Sequence, residues 1–184
     1  MSRNRKRLVL LVSLIMVVLL LDQISKQWII DNLYRGETIE PIPVLSDYFQ
    51  LTYSQNNGAA FGFLPQAGDL FLVIAIFVVI ALIIYYPRIP DEAIITRIAT
   101  ALVCGGALGN VVDRVRHEHV VDFIHYQIPG IISNVSNIAD HAIVFGVLLI
   151  LLDSWLLERN AQKQKKDNVI ITAPDTNSEH DNHI

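Results

Sequence analysis

The stretches GGALGNVVDR (Gly105–Arg114), VVDFI (Val120–Ile124) and SNIADHAI (Ser136–Ile143) set Asp113, Asp122 and Asp140 on or between two strongly apolar segments. A carboxylate at the edge of hydrocarbon is costly unless it is neutralised, paired or hydrated, so an acid in such a place marks a functional site by default. Three of them close together direct attention both to a membrane fold and to a site at its rim.

Composition points the same way. The 184-residue chain is 52% hydrophobic, with a mean hydropathy of +0.42, too apolar for a soluble domain of this length. A formal charge of -4 and a pI near 5.8 offer no clustered basic face for nucleic acid. Cys104 is the single cysteine and lies in an apolar run, which excludes disulfides within the chain and zinc sites built on several thiolates.

Four apolar segments are expected to cross the membrane. Residues 8–30 follow the basic cluster Arg3, Arg5, Lys6 and Arg7, and Asp22, Gln23 and Lys26 stand where a signal-peptide cleavage site would need small residues. Residues 70–86, 93–112 and 138–157 supply the other three, each long enough at about 1.5 Å per residue to cross most or all of a hydrocarbon core of roughly 30 Å. Asp22 and Lys26 share a helical face and suit an ion pair. Arg97, near the start of the third span, is placed to snorkel. Gly105, Gly106 and Gly109 would let neighbouring backbones approach. Asp113 beside Arg114 and Arg116 reads as a local pairing.

Between the spans, residues 32–69 and 113–137 form the outer segments. Phe49, Leu51 and Tyr53 alternate with Gln50, Thr52 and Ser54, a period-two pattern that predicts a half-buried strand and a small sheet on the membrane surface. Asn56–Phe63, NNGAAFGF, reads as a tight turn. Lys and Arg collect on one side (Arg3, Arg5, Lys6, Arg7, Arg88, Arg159, Lys163, Lys165 and Lys166), which puts both termini in the cytoplasm and Asp22, Asn56, Asp113, Asp122 and Asp140 in the outer third of the bilayer. Residues 1–157 then form the membrane domain, and 158–184 a polar cytoplasmic tail expected to be disordered.

Two carboxylates within hydrogen-bonding range share one proton and split their apparent pKa values. The ionised member can take a proton from water as it attacks a peptide carbonyl, and the protonated member can donate to the carbonyl oxygen. That chemistry needs no metal and no cofactor. Asp122 in the outer connection and Asp140 in the first turn of the following helix suit it if the connection folds back.

DQISK (Asp22–Lys26), NNGAAFG (Asn56–Gly62), GNVVDR (Gly109–Arg114), VVDFI (Val120–Ile124) and NIAD (Asn137–Asp140), in this order, resemble the motifs of the lipoprotein signal peptidases, or signal peptidase II, of bacterial inner membranes. The resemblance covers roughly residues 8–157. It implies an aspartic endopeptidase with Asp122 and Asp140 as the catalytic pair. Asn56, Gly58, Asn110, Arg114 and Asn137 would bind substrate or position the aspartates, and Asp22, Lys26 and Asp113 would support the site. The implied partners are membrane phospholipid and prolipoproteins carrying a diacylglyceryl-modified cysteine, cut on the amino side of that cysteine. The fold expected with it is an all-α membrane protein of four transmembrane helices, with a small outward-facing β-sheet and a short surface helix, for which the amphipathic segment Ile124–Ile132 is the candidate. Ser136 and His141 depart from the family's usual aromatic and serine at those places, and His141 would shift the pair's pKa if it faced it.

Two other functional classes compete. His117, His119, His125 and His141 near the acids raise a metal-dependent membrane hydrolase, although their spacing is not HExxH. Asp22, Lys26, Asp113 and Asp140 as a membrane charge chain raise a small transporter or proton relay.

Overall fold

The structure is a computed structural model and describes residues 3–58 and 68–172. Ala59–Phe63 of the NNGAAFGF turn, Pro65, and residues 173–184 of the tail lie outside the described residues. By backbone contacts the chain divides into two units, Met1–Ile150 and Leu151–Ile184.

Helix α1 spans Arg3–Asn32, α2 Gly68–Tyr85, α3 Ile94–His117 and α4 Ile138–Thr172. All four contain a stretch long and apolar enough to cross a membrane. Burial separates their roles. In α3, 61% of the span is buried, against 11–17% in the other three, so α3 is the helix the first unit packs around. Its sequence explains this, because close approach needs positions without a Cβ. A Cβ on Gly105 would sit 2.8 Å from the Cβ of Val18 in α1, one on Gly109 would sit 2.5 Å from Oδ2 of Asp22, and one on Gly106 would collide with the carbonyl oxygen of Ala139 in α4.

The short connection between α2 and α3 makes them antiparallel neighbours and is closed by Arg97. Its Nη2 donates to the Ile89 carbonyl at 2.7 Å and lies 3.1 Å from Asp91, which also pairs with Arg7 of α1. The expected snorkelling is therefore replaced by burial. The side chain does reach back toward the helix start, but protein carbonyl and carboxylate groups meet it there before headgroups do. An apolar cluster of Leu11, Tyr86, Ile89 and Ala101 packs beneath it.

Among the described residues the sheet has four strands in the order β1-β2-β3-β4, all neighbours antiparallel: β1 Thr38–Ile39, β2 Phe49–Asn56, β3 Val120–Ile128 and β4 Ile132–Ser136. The strand expected around Phe49–Ser54 is present as β2. The surface helix expected over Ile124–Ile132 is not, because that segment is the hairpin of β3 and β4. Pro129-Gly130 turns it, with Gly130 at φ +75°, and β-branched residues on both sides favour a strand paired to a neighbour over an isolated turn of helix. Val121 and Phe123 of β3 pack with Ile29 and Leu33 at the end of α1, which docks the sheet on the bundle.

Helix α4 also runs further than expected. Residues 158–172, expected as part of a disordered tail, are helical, since Glu158, Arg159, Ala161, Gln162, Lys163, Gln164, Lys165 and Lys166 are all good helix formers. Within the second unit the Arg159 guanidinium lies 5.3 Å from the centre of the Trp155 ring.

Candidate active site

The site is assembled from the ends of α1, α3, β2 and β3 and the start of α4. Asn137 is the hinge of the arrangement. It caps α4, its Oδ1 accepting the Asp140 backbone N–H at 2.9 Å, which satisfies one of the open donors of the first turn. That donor has no alternative role, so the amide orientation is fixed, and the Asn137 Nδ2 donates to Asp122 Oδ1 at 2.6 Å. One side chain therefore holds the backbone of Asp140 and the carboxylate of Asp122.

The other amides are fixed in the same way. The Gly58 N–H donates to Asn56 Oδ1 at 2.9 Å, so Asn56 Nδ2 points at Asp122 Oδ2, 2.8 Å away. Sheet register brings this about, because Ser54 pairs with Asp122 and Asn56 with Val120 across the β2–β3 ladder. Asn110, on α3, turns its Nδ2 toward Asp140 Oδ1 at 2.7 Å. Arg114, one turn further on, donates from Nη2 to the Gly58 carbonyl at 3.0 Å and so ties α3 to the end of β2.

Asp122 is 2% exposed. Burial, with Asp140 nearby, pushes its carboxyl up to about 7, against the hydrogen bonds from Asn56 and Asn137 and the charge of Lys26, which act the other way. Asp140 is half-buried and borders two cavities, which also share Asn56 in their walls. One, about 270 Å³, is lined mainly by apolar side chains of α2, α3 and α4, including Phe71, Ile74, Val78 and Ile143. The other, about 210 Å³, is bounded by Tyr126, Asn134, Ser136 and His141.

Behind the two acids lies a buried charged cluster. Lys26 Nζ is 2.8 Å from Asp22 Oδ2, 2.8 Å from Asp113 Oδ2 and 3.2 Å from Asn110 Oδ1. The expected Asp22–Lys26 pair is thus present, but Asp113 pairs with Lys26 and not with Arg114 or Arg116. Adjacent helical positions do not face each other, and Asp113 points inward toward α1 whereas Arg116 is exposed. Gln23, to which the sequence assigns no place in the site, donates to Asp113 Oδ1 at 2.8 Å and lies 3.2 Å from Asp22 Oδ2. Its place inside DQISK, three residues before Lys26, was the available signal.

The histidines disperse. His117 and His119 stack loosely with ring centres 5.9 Å apart. His125 lies between the hydroxyls of Thr52 and Ser133 on the sheet, and exposed His141 donates from Nδ1 to the Asn137 carbonyl at 2.6 Å. Among the described residues no three His, Cys, Asp or Glu side chains meet in an arrangement that could hold a metal ion.

Comparison with known proteins agrees with the motifs. The signal peptidase II family pattern matches residues 14–156. A lipoprotein signal peptidase of Halothermothrix orenii is 40% identical over 145 residues, 79% of this chain and 94% of the relative. One of Moorella thermoacetica is 38% identical over 154 residues, 84% of this chain and 96% of the relative. A bacterial membrane enzyme solved by the in meso method at 2.3 Å resolution superposes with a TM-score of 0.73 and 33% identity, covering 83% of this chain and 90% of that one. A pattern that runs through four spans and both outer segments, shared with relatives over most of their length, means that this chain belongs to the signal peptidase II family.

Proposed function

We propose that the protein is an aspartic endopeptidase of the bacterial cytoplasmic membrane that removes the signal peptide from diacylglyceryl-modified prolipoproteins, cutting on the amino side of the modified cysteine, with Asp122 and Asp140 as the catalytic pair. The observation that carries this reading is the treatment of those two acids. They flank a single amide, Asn137, and asparagines whose own oxygens are already engaged donate to both: Asn56 and Asn137 to Asp122, and Asn110 to Asp140. Family membership supports the peptidase class and the kind of substrate.

In the proposed reaction one carboxyl is protonated and its partner ionised. A water between them gives a proton to the carboxylate as its oxygen bonds to the scissile carbonyl carbon, while the protonated acid gives its proton to the carbonyl oxygen. The tetrahedral diol then collapses: the C–N bond breaks, the amine leaves with a proton returned by the first carboxylate, and the second recovers its own. Asn56, Asn110 and Asn137 serve by holding carboxylate oxygens in place, and Arg114 by fixing Gly58 at the end of β2. The apolar cavity suits lipid or apolar side chains of a substrate, and the cavity beside β4 suits an extended backbone. With basic residues gathered at the other end of the bundle, this site faces outward and both termini face the cytoplasm.

The transport reading has less support, since Lys26, Asp22 and Asp113 close on one another and form no path along the helices. The test is turnover of a lipid-modified precursor by purified protein in detergent. Asp122→Asn and Asp140→Asn are expected to lose at least a thousandfold in rate while inserting normally, and the unlipidated precursor is expected to be a poor substrate for the parent. Normal cleavage by either variant refutes the pair.

A further inference from the structure

Asp22 and Asp113 do something more specific than neutralise a lysine. Asp22 Oδ1 accepts the backbone N–H of Ala139 at 2.9 Å, and Ala139 directly precedes Asp140. Asp113 Oδ2 accepts the backbone N–H of Val121 at 3.0 Å, and Val121 directly precedes Asp122. Each carboxylate thus grips the chain one residue before a member of the proposed catalytic pair, one at the start of α4 and the other at the start of β3. The two grips meet at one atom, Nζ of Lys26, which lies 2.8 Å from an oxygen of each.

The third acceptor of Lys26 is Asn110 Oδ1 at 3.2 Å. An ammonium only donates, so the oxygen of this amide must face it and the NH2 must face Asp140. Three N–H bonds of one buried ammonium, 2% exposed, therefore reach α1 itself, the anchor of β3 and the amide that serves Asp140.

We infer that Lys26 is a positioning residue for hydrolysis, a single clamp that sets the spacing between Asp122 and Asp140 and the polarity of the amide facing Asp140. This rests on the reading of those two acids as the catalytic pair. The alternative is a plain structural ion pair that keeps three charges soluble in the bundle. The two roles differ in what removal does. Loss of a structural pair lowers the amount and melting temperature of folded protein but leaves the turnover number of what folds. Loss of the clamp lets the two acids drift, and a displacement of about 1 Å at reacting groups costs on the order of a hundredfold in rate.

Lys26→Met alone leaves two buried carboxylates facing each other and is expected to fold poorly. The paired variant Asp22→Asn with Lys26→Met leaves one buried carboxylate in place of two, Asp113, still held by the Gln23 amide and the Val121 N–H, and the amide introduced in place of the Asp22 carboxylate retains an oxygen for the Ala139 N–H. Kinetics on lipid-modified precursor, with the melting temperature measured on the same preparation, are expected to show the paired variant melting within a few degrees of the parent, with kcat about a hundredfold lower and KM within threefold. A paired variant that melts like the parent and keeps kcat within threefold overturns the inference, as does a loss confined to KM. Asp122→Asn is measured alongside: full turnover there sinks the catalytic pair itself, whereas an inactive Asp122→Asn beside an active paired variant sinks only the role given to Lys26.

Discussion

At the scale of single residues the site depends on amides whose orientation is decided by groups that can only donate. The Gly58 N–H, the Asp140 N–H and the Lys26 ammonium each claim an amide oxygen, and so Asn56, Asn137 and Asn110 each present an NH2 to a carboxylate. Donors aimed at a carboxylate favour its ionised form. For Asp122 they work against burial and against Asp140, and the balance leaves the carboxyl near 7. Hydrolysis by a singly protonated pair should therefore fade as pH rises through about 7, when the second proton leaves. Asn56→Ala removes one stabiliser of the ionised form, so the proton is held more tightly and the basic limb of kcat/KM should move up, by about one pH unit for a charge-assisted bond. A pH–rate series on both proteins checks this, and a limb that stays put or moves down is the contrary result. None of these orientations was legible in the sequence. Asn56, Asn110 and Asn137 stand out in apolar surroundings, but which way each amide faces depends on distant partners, such as Asp140 and Lys26 for Asn110, 30 and 84 positions away.

At the scale of elements the helices were readable and the hairpin was not. Long apolar runs ended by Pro87 and Pro90 or by charge announce spans by length alone. Ile124–Ile132 is short, and periodicity does not separate a short apolar strand from a helical segment. What makes it a strand is β2, some 70 residues earlier, which offers the edge that β3 joins. The Pro129-Gly130 dipeptide was the local clue. Packing between elements yields a prediction in α3, where neighbouring glycines face different partners. Gly106 abuts the Ala139 carbonyl at the start of α4, and Gly105 abuts Val18 and the Ile15 carbonyl in α1. Adding a methyl at Gly106 must push the first turn of α4, which carries Asp140. Gly106→Ala is expected to cut kcat at least tenfold in folded protein. Gly105→Ala should instead lower the melting temperature while the folded fraction turns over within threefold of the parent. Kinetics normalised to the folded fraction separate the two, and equal effects on kcat would disprove the division.

At the scale of the whole molecule the outward surface of the helices is made for lipid. Leu20, Leu21 and Ile24 of α1, Val73 and Phe77 of α2, and Val144 and Leu148 of α4 are all exposed, as expected where the surrounding solvent is hydrocarbon and the buried stripe lies on α3. Charge is the ground for the proposed orientation of the two ends. Arg3, Arg5, Lys6, Arg7 and Arg88 lie at the end of the bundle away from the sheet, and Arg159, Lys163, Lys165 and Lys166 follow the fourth span. Lys and Arg in short flanks are retained in the cytoplasm, so in the proposed orientation the end that carries the sheet, Asp122 and Asp140 is the translocated one. In that proposed orientation, a precursor whose lipid-modified cysteine has crossed with the chain that follows it would present its scissile bond on the side that carries the two acids. Cysteine labelling tests the arrangement directly, since native Cys104 is buried and contributes little background. Glu40→Cys, exposed beside the sheet, should react with a membrane-impermeant maleimide in intact spheroplasts, and Gln162→Cys, exposed on α4, only after permeabilisation. The reverse pattern would put the acids on the cytoplasmic side, where no translocated precursor would meet them, and the proposed substrate would have to be abandoned along with the orientation.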